Sequence, residues 1–134
     1  NSIKVLVDPK GKDFSKYKNS YLLTPNKKEA STATGINISD QKSLKVALNK
    51  LKKITNSNQQ IITLGSEGIA FTEKNDFHVL PALAKDVYDI TGAGDTVIAS
   101  LAFKLSFGFS LYESIAFANK AASLVVQKII MRNL

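Results

Sequence analysis

Asp89-Ile90-Thr91-Gly92-Ala93-Gly94-Asp95-Thr96 sets two glycines and a small residue before an acid that opens an apolar helix carrying Val97, Ile98, Leu101, Ala102 and Leu105. Backbone N–H groups at a helix start lack intrahelical partners and lie at the positive end of the helix dipole. Glycines there let a phosphate approach the main chain closely. An aspartate on that first turn adds negative charge where the anion would sit. The placement makes chemical sense if Asp95 faces a substrate hydroxyl and takes its proton as a phosphoryl group arrives. The plainer reading is a first-turn acid that stabilises a helix dipole; the glycines and the helix that follows favour catalysis.

Upstream of this stretch, strands alternate with helices. Ile3-Lys4-Val5-Leu6-Val7 is a buried strand stopped by Asp8-Pro9-Lys10-Gly11, and Ser20-Tyr21-Leu22-Leu23-Thr24 is a second, closed by Pro25. Ser39-Asp40 supplies N-cap chemistry for a helix whose Leu44, Ala47, Leu48 and Leu51 share one face, ending near Asn56-Ser57-Asn58. Gln60-Ile61-Ile62-Thr63-Leu64 turns through Gly65-Ser66-Glu67-Gly68 into Ile69-Ala70-Phe71-Thr72, a link so short that the two strands must be antiparallel neighbours. Phe77 to Leu80 forms a further strand ahead of Pro81. Gly108 ends the helix after Asp95, and Ser110 with Glu113 is a capping box for a last helix whose Leu111, Ile115, Ala118, Ala122 and Val125 face inward. This order predicts an α/β layered fold with a mainly parallel sheet and one antiparallel excursion.

Composition narrows the chemistry. With 134 residues and 44% hydrophobic content the chain can bury a core, and the absence of cysteine excludes disulfides, zinc-thiolate sites and a thiol nucleophile. The single histidine, His78, argues against a His-based metal site or a Ser-His triad, and is expected to point outward from its strand. No apolar run reaches the roughly 18 residues of a membrane span, so a soluble, cytoplasmic protein is expected. Of 18 basic residues, 12 lie in residues 1–53 beside four acids. That asymmetry allows a non-enzymatic module binding nucleotide or nucleic acid. Lys42, Lys45, Lys50, Lys52 and Lys53 are better placed as the solvated face of one helix, and the lone arginine, Arg132, disfavours nucleic-acid readout.

In open α/β sheets ligands bind beyond the carboxyl ends of the strands, where Asp8 to Lys10, Asn26 to Glu29, Gly65 to Gly68 and Thr91 to Asp95 all fall. Glycines, carboxylates, an amide and lysines on one rim suit a nucleoside triphosphate with magnesium. The string Thr91 to Thr96, preceded by Asp89, resembles the C-terminal signature of the ribokinase (PfkB) family of carbohydrate kinases. Asn26-Lys27-Lys28-Glu29 is similar to that family's N-x-x-E element, and Thr63 to Gly68 to its nucleotide-side turn. Val7 to Gly11, Leu23 to Asn26, Val87-Tyr88-Asp89 and Phe117 to Ala122 further resemble the kinase domains of bifunctional heptose enzymes.

The resemblance implies a ribokinase-like three-layer α/β/α fold, of which residues 1–134 are the C-terminal part, with ATP and Mg2+ as cofactors. It implies phosphorylation of D-glycero-β-D-manno-heptose 7-phosphate at its anomeric hydroxyl, on the route to ADP-heptose and lipopolysaccharide, by an enzyme expected to be a homodimer. Another sugar or a nucleoside is the alternative substrate within the same fold. Asp95 would be the base, and the N–H groups of Gly92, Ala93 and Gly94 would hold charge on the transferred phosphoryl. Asn26 and Glu29 would organise magnesium; Lys27, Lys28, Thr63, Gly65, Gly68 and Asn119 would face the nucleotide, and Lys10 a sugar phosphate. The plain alternatives are solvated charges at Lys10, Lys27 and Lys28, a turn at Gly65 and Gly68, and a solvent-side polar residue at Asn119; taken singly, the plain reading is preferred for Asn119, Lys10, Lys27 and Lys28. Residues 129–134 depart from the family and carry no assigned role. The half of the family that supplies most sugar contacts is not within these residues, so little kinase activity is expected of them alone.

Overall fold

A computed structural model describes residues 4–83 and 93–132, and they divide into two compact units. The first unit comprises residues up to 64 with residues 70–79; the second comprises 65–69 and the residues from 80 on. A five-stranded sheet runs in the order β1 (Leu6–Val7), β2 (Leu22–Leu23), β3 (Gln59–Thr63), β4 (Ile69–Glu73), β5 (Asp76–Leu80). β1 and β2 pair in parallel with Leu6 opposite Leu22, and β2 and β3 in parallel with Leu22 opposite Gln59. Five residues join β3 to its neighbour β4, too few for a parallel crossover, so that pair is antiparallel. β4 and β5 are joined by Lys74 and Asn75 alone, both at positive φ (51° and 68°), the twist that a two-residue hairpin prefers.

The first strand is shorter than the sequence suggests. It is an edge strand with Val5 half exposed, the Val5 carbonyl accepting from Tyr21 N–H at 2.8 Å. β3 is central, and Ile61 and Ile62, on opposite faces, are both fully buried. His78 does not point freely outward. It is half-buried, its ring stacked on the buried Phe71 at 5.1 Å between centroids.

Helix α2 (Gln41–Thr55) buries Leu44, Ala47, Leu48 and Leu51 as its periodicity requires, against Phe14, Ala30, Ile38, Ile62 and Ala70. Its lysines at 42, 45, 50, 52 and 53 are exposed, as expected. Asp40 caps it: Oδ1 accepts from Ser43 N–H at 2.8 Å, while Ser43 Oγ accepts from Asp40 N–H at 3.0 Å. The Ser43 N–H, and then the Ser43 side chain, hold the Asp40 carboxyl below its ordinary value of 3.8. A carboxylate whose folded value is depressed adds stability above the unfolded value and loses it as pH falls through the folded one. Asp40→Asn keeps a good cap, so it should leave the melting temperature near neutral pH little changed and make its decline in acid shallower. An unchanged acid decline in a calorimetric pH series would contradict the assignment.

Helix α1 (Lys27–Thr34) is an element that the apolar pattern does not announce, because only Ala30 and Thr34 are buried. Its signals are polar: a capping box between Asn26 and Glu29, and Gly35 at φ 73° as the left-handed stop.

In the second unit α3 (Ala93–Ser106) and α4 (Leu111–Arg132) form a helical hairpin around Gly108, at φ 82°. Val97, Leu101 and Leu105 of α3 and Leu111, Ile115, Ala118 and Ala122 of α4 are buried; Ile98 and Val125 are half-buried and Ala102 is exposed. The expected Ser110 cap is present, its Oγ accepting from Glu113 N–H at 3.1 Å. α4 continues to Arg132, into the residues from 129 on that carry no assigned role. Among the described residues no helix is long and apolar enough to cross a membrane.

Candidate active site

In the first unit the polar rim forms at the C-terminal ends of the three parallel strands. Thr24, buried just past β2, donates from Oγ1 to the Val7 carbonyl at 3.3 Å, and Thr63 N–H at the end of β3 donates to the Pro25 carbonyl at 3.0 Å. Asn26 and Thr63 then pair as an isolated parallel bridge. These ties leave Asn26 little choice of position, and α1 starts directly from it.

The Asn26 and Glu29 side chains are reciprocally engaged. Asn26 Oδ1 accepts from Glu29 N–H at 2.7 Å, and Glu29 Oε1 accepts from Asn26 N–H at 2.9 Å. The arrangement satisfies two otherwise orphaned donors of the helix start. It also orients the Glu29 carboxylate, whose other oxygen, Oε2, lies 3.6 Å from Lys10 Nζ. The same ammonium is 3.4 Å from Asp8 Oδ2. Asp8 first and Glu29 second raise the Lys10 pKa above its ordinary value. The Lys10 backbone is pinned as well, its N–H donating to Tyr17 Oη at 2.9 Å and its carbonyl accepting from the same hydroxyl at 3.1 Å. Asp8 is the member of this cluster that the sequence reading gave no role. Its signal was its place directly after a strand that ends in Asp-Pro. Lys27 and Lys28 are exposed on the first turn of α1.

These groups fit magnesium chemically. Two carboxylates and an amide are hard oxygen donors, and Glu29 Oε2 already faces a cation. Among the described residues no group of three or more His, Cys, Asp or Glu forms a cage. Magnesium does not need one, since it keeps several waters and is commonly completed by substrate phosphates.

The second unit holds the other expected residues. α3 begins at Ala93, so Ala93 and Gly94 are its first two residues and Asp95 stands exposed in its first turn. Gly92, with Asp89 and Thr91, lies outside the described residues. Gly65 opens a single 3-10 turn at φ 60° with open space where a Cβ would be, and Gly68 N–H closes that turn onto the Gly65 carbonyl at 3.0 Å. Gly68 differs. Its φ is 106°, and a Cβ there would fall 1.9 Å from the Leu80 carbonyl oxygen and 2.8 Å from Pro81 Cα. The close approach that demands glycine is therefore to the protein's own backbone.

Asn119 corrects the preference for a solvent-side residue. It is only 3% exposed, and its Nδ2 donates to the Pro81 carbonyl at 2.6 Å. Pro81 follows directly on β5, and the buried Asn119 amide of α4 donates to its carbonyl. Gly68, Pro81 and Asn119 thus form one junction within the second unit. Asn26, Glu29 and Thr63 are gathered, with Lys10 and Asp8, in the first.

Comparison with known proteins accords with this geometry. A family model described as pfkB family carbohydrate kinase matches residues 1–133. The Bifunctional protein HldE of Sulfurimonas denitrificans is 57% identical over 129 residues, covering 96% of this chain and 27% of that protein. The protein of the same name from Helicobacter pylori is 46% identical over 124 residues, again 27% of its length. The chain therefore spans about a quarter of the length of these curated relatives. Among solved structures, Arabidopsis thaliana ribokinase complexed with ribose and ATP is 32% identical with a TM-score of 0.79 over 93% of this chain and 42% of that one. Phosphofructokinase-2 from Escherichia coli, in complex with fructose-6-phosphate, has a TM-score of 0.78 at 22% identity, over 91% and 41% of the two chains, and speaks for the fold alone. The α/β fold is thus ribokinase-like, and the chain belongs to the pfkB family of carbohydrate kinases.

Proposed function

We infer that this chain forms the nucleotide and catalytic-base part of a kinase acting on D-glycero-β-D-manno-heptose 7-phosphate, on the route to ADP-heptose and lipopolysaccharide. The full enzyme works in the cytoplasm as a homodimer, and its sugar-binding part lies outside these 134 residues. In the reaction, Asp95 takes the proton of the anomeric hydroxyl. That oxygen forms a bond to the γ-phosphorus of ATP as the bond from phosphorus to the bridging oxygen breaks and ADP leaves. The N–H groups of Gly92, Ala93 and Gly94 hold the negative charge on the moving phosphoryl. Thr63, Gly65, Gly68 and Asn119 shape the nucleotide side, Lys27 and Lys28 add positive charge to it, and Lys10 answers a phosphate. Magnesium, held by Asn26 and Glu29 with waters, would neutralise charge between the transferring phosphates.

The observation that carries this reading is Asp95 exposed on the first turn of α3, immediately behind Ala93 and Gly94. Exposure leaves the carboxylate accessible to a substrate hydroxyl. The choice of heptose rests on the relatives named Bifunctional protein HldE. The test is a set of coupled ADP-release assays on the longer polypeptide with heptose 7-phosphate, ribose and fructose 6-phosphate at equal concentration. A kcat/KM at least about a hundredfold higher for the heptose is expected, because a site built to hydrogen-bond a substrate rejects analogues that leave its polar groups unpaired. Preference for either other sugar would overturn the heptose assignment and leave the kinase reading in place.

A further inference from the structure

The geometry points to Lys10 as a built-in counter-cation of the magnesium site, a side chain that stands between the Asp8 and Glu29 carboxylates and must give way before a divalent ion can use them. The inference rests on the reading of Glu29 as a metal-organising residue. Its basis is the convergence of two residues from the loop after β1 with one from the first turn of α1. Lys10 Nζ lies 3.4 Å from Asp8 Oδ2 and 3.6 Å from Glu29 Oε2, so one ammonium serves two acids that would otherwise repel each other.

Glu29 does not depend on the ammonium for its place, because the capping box orients it through Oε1, and Asp8 lies on the loop that follows β1. Removing the ammonium therefore leaves the Glu29 carboxylate in position beside a second acid, with their charge uncompensated. The lysine side chain is 73% exposed on a flexible four-carbon stem, which lets the ammonium leave without disturbing the core. The raised Lys10 pKa keeps it charged throughout the neutral range.

The consequence is competition. A divalent ion that engages Glu29 comes within a few ångströms of the ammonium, and the two repel unless Lys10 moves away. An uncharged side chain of similar length at position 10 should then tighten divalent binding by at least about tenfold, the lower bound set by one unit charge acting through water's dielectric on a doubly charged ion a few ångströms away. Arginine, which keeps the charge, should not.

The test measures Mn2+ binding by electron paramagnetic resonance, with no nucleotide present, in the full-length polypeptide carrying the wild-type chain, Lys10→Met or Lys10→Arg. The expected result is at least about tenfold tighter Mn2+ binding by Lys10→Met, wild-type affinity in Lys10→Arg, and loss of the gain when Glu29→Gln is added to Lys10→Met. Equal or weaker binding by Lys10→Met, with the wild type binding measurably, overturns the counter-cation role and leaves the metal reading standing. Binding by none of these proteins overturns both. A gain that survives Glu29→Gln also counts against the proposal, because it would place the ion elsewhere.

Discussion

Asp95→Asn should lower phosphoryl transfer by about a hundred- to ten-thousand-fold, the usual worth of a positioned general base, and leave ATP binding close to its original strength. The two side chains have nearly the same shape, so the first turn of α3 keeps its packing; the amide has no basicity with which to take a hydroxyl proton. A helix-dipole role predicts something else. Loss of a first-turn charge would cost about 0.3–1 kcal/mol of stability and have no particular effect on turnover. Single-turnover kinetics on the full enzyme, set beside a thermal melt, separate the two. An enzyme of normal rate, or one whose lost activity tracks a lost fold, removes Asp95 from the mechanism. Because α3 leaves Asp95 exposed, the substitution brings no burial penalty to confuse the result.

Gly68→Ala should be more destabilising than the same change at Gly11, Gly35, Gly65 or Gly108. Two costs coincide there. A φ of 106° is a conformation that side-chain-bearing residues rarely adopt, and the new Cβ would overlap the Leu80 carbonyl oxygen at 1.9 Å. The obstacle is backbone, which cannot rotate aside as a side chain would, so the turn after β3 or the end of β5 has to move. A loss of about 3 kcal/mol or more is expected, at the upper end of overpacking effects. Gly65→Ala is the internal control. It lies three residues away at φ 60° with nothing within 4 Å of its Cβ, and should cost only about 1–2 kcal/mol of left-handed strain. Urea melts of the two variants that coincide would show that the approach of Gly68 to Leu80 and Pro81 is not the constraint. The same contact explains why Gly68 need not meet a nucleotide to be indispensable.

Local chemistry made much of this molecule legible. Asp40 and the spacing of Leu44, Ala47, Leu48 and Leu51 placed α2 within a residue of its observed ends, because capping and one-face burial are both written within a single helix. Ser110 and Glu113 did the same for the start of α4. α1 was harder. Its residues lack an apolar stripe, and the Asn26 and Glu29 pair that starts it was read for metal chemistry before helix capping. β1 shrank because an edge strand with one neighbour keeps only the residues that its partner reaches.

The alternation of strands and helices outside α1, an acid near the start of an apolar helix behind two glycines, and membership in a sugar-kinase family all follow from the chain read alone. Each rests on interactions within about four residues, or on a motif whose parts are adjacent. Three features needed the tertiary structure: the meeting of Lys10 with Asp8 and Glu29, the passage of Gly68 against Leu80 and Pro81, and the burial of Asn119 onto the Pro81 carbonyl. Asn119 and Pro81 are 38 positions apart, and no periodicity records such a distance. Their pairing is decided where a strand ends and a helix passes, by the requirement that the buried Asn119 amide find an acceptor.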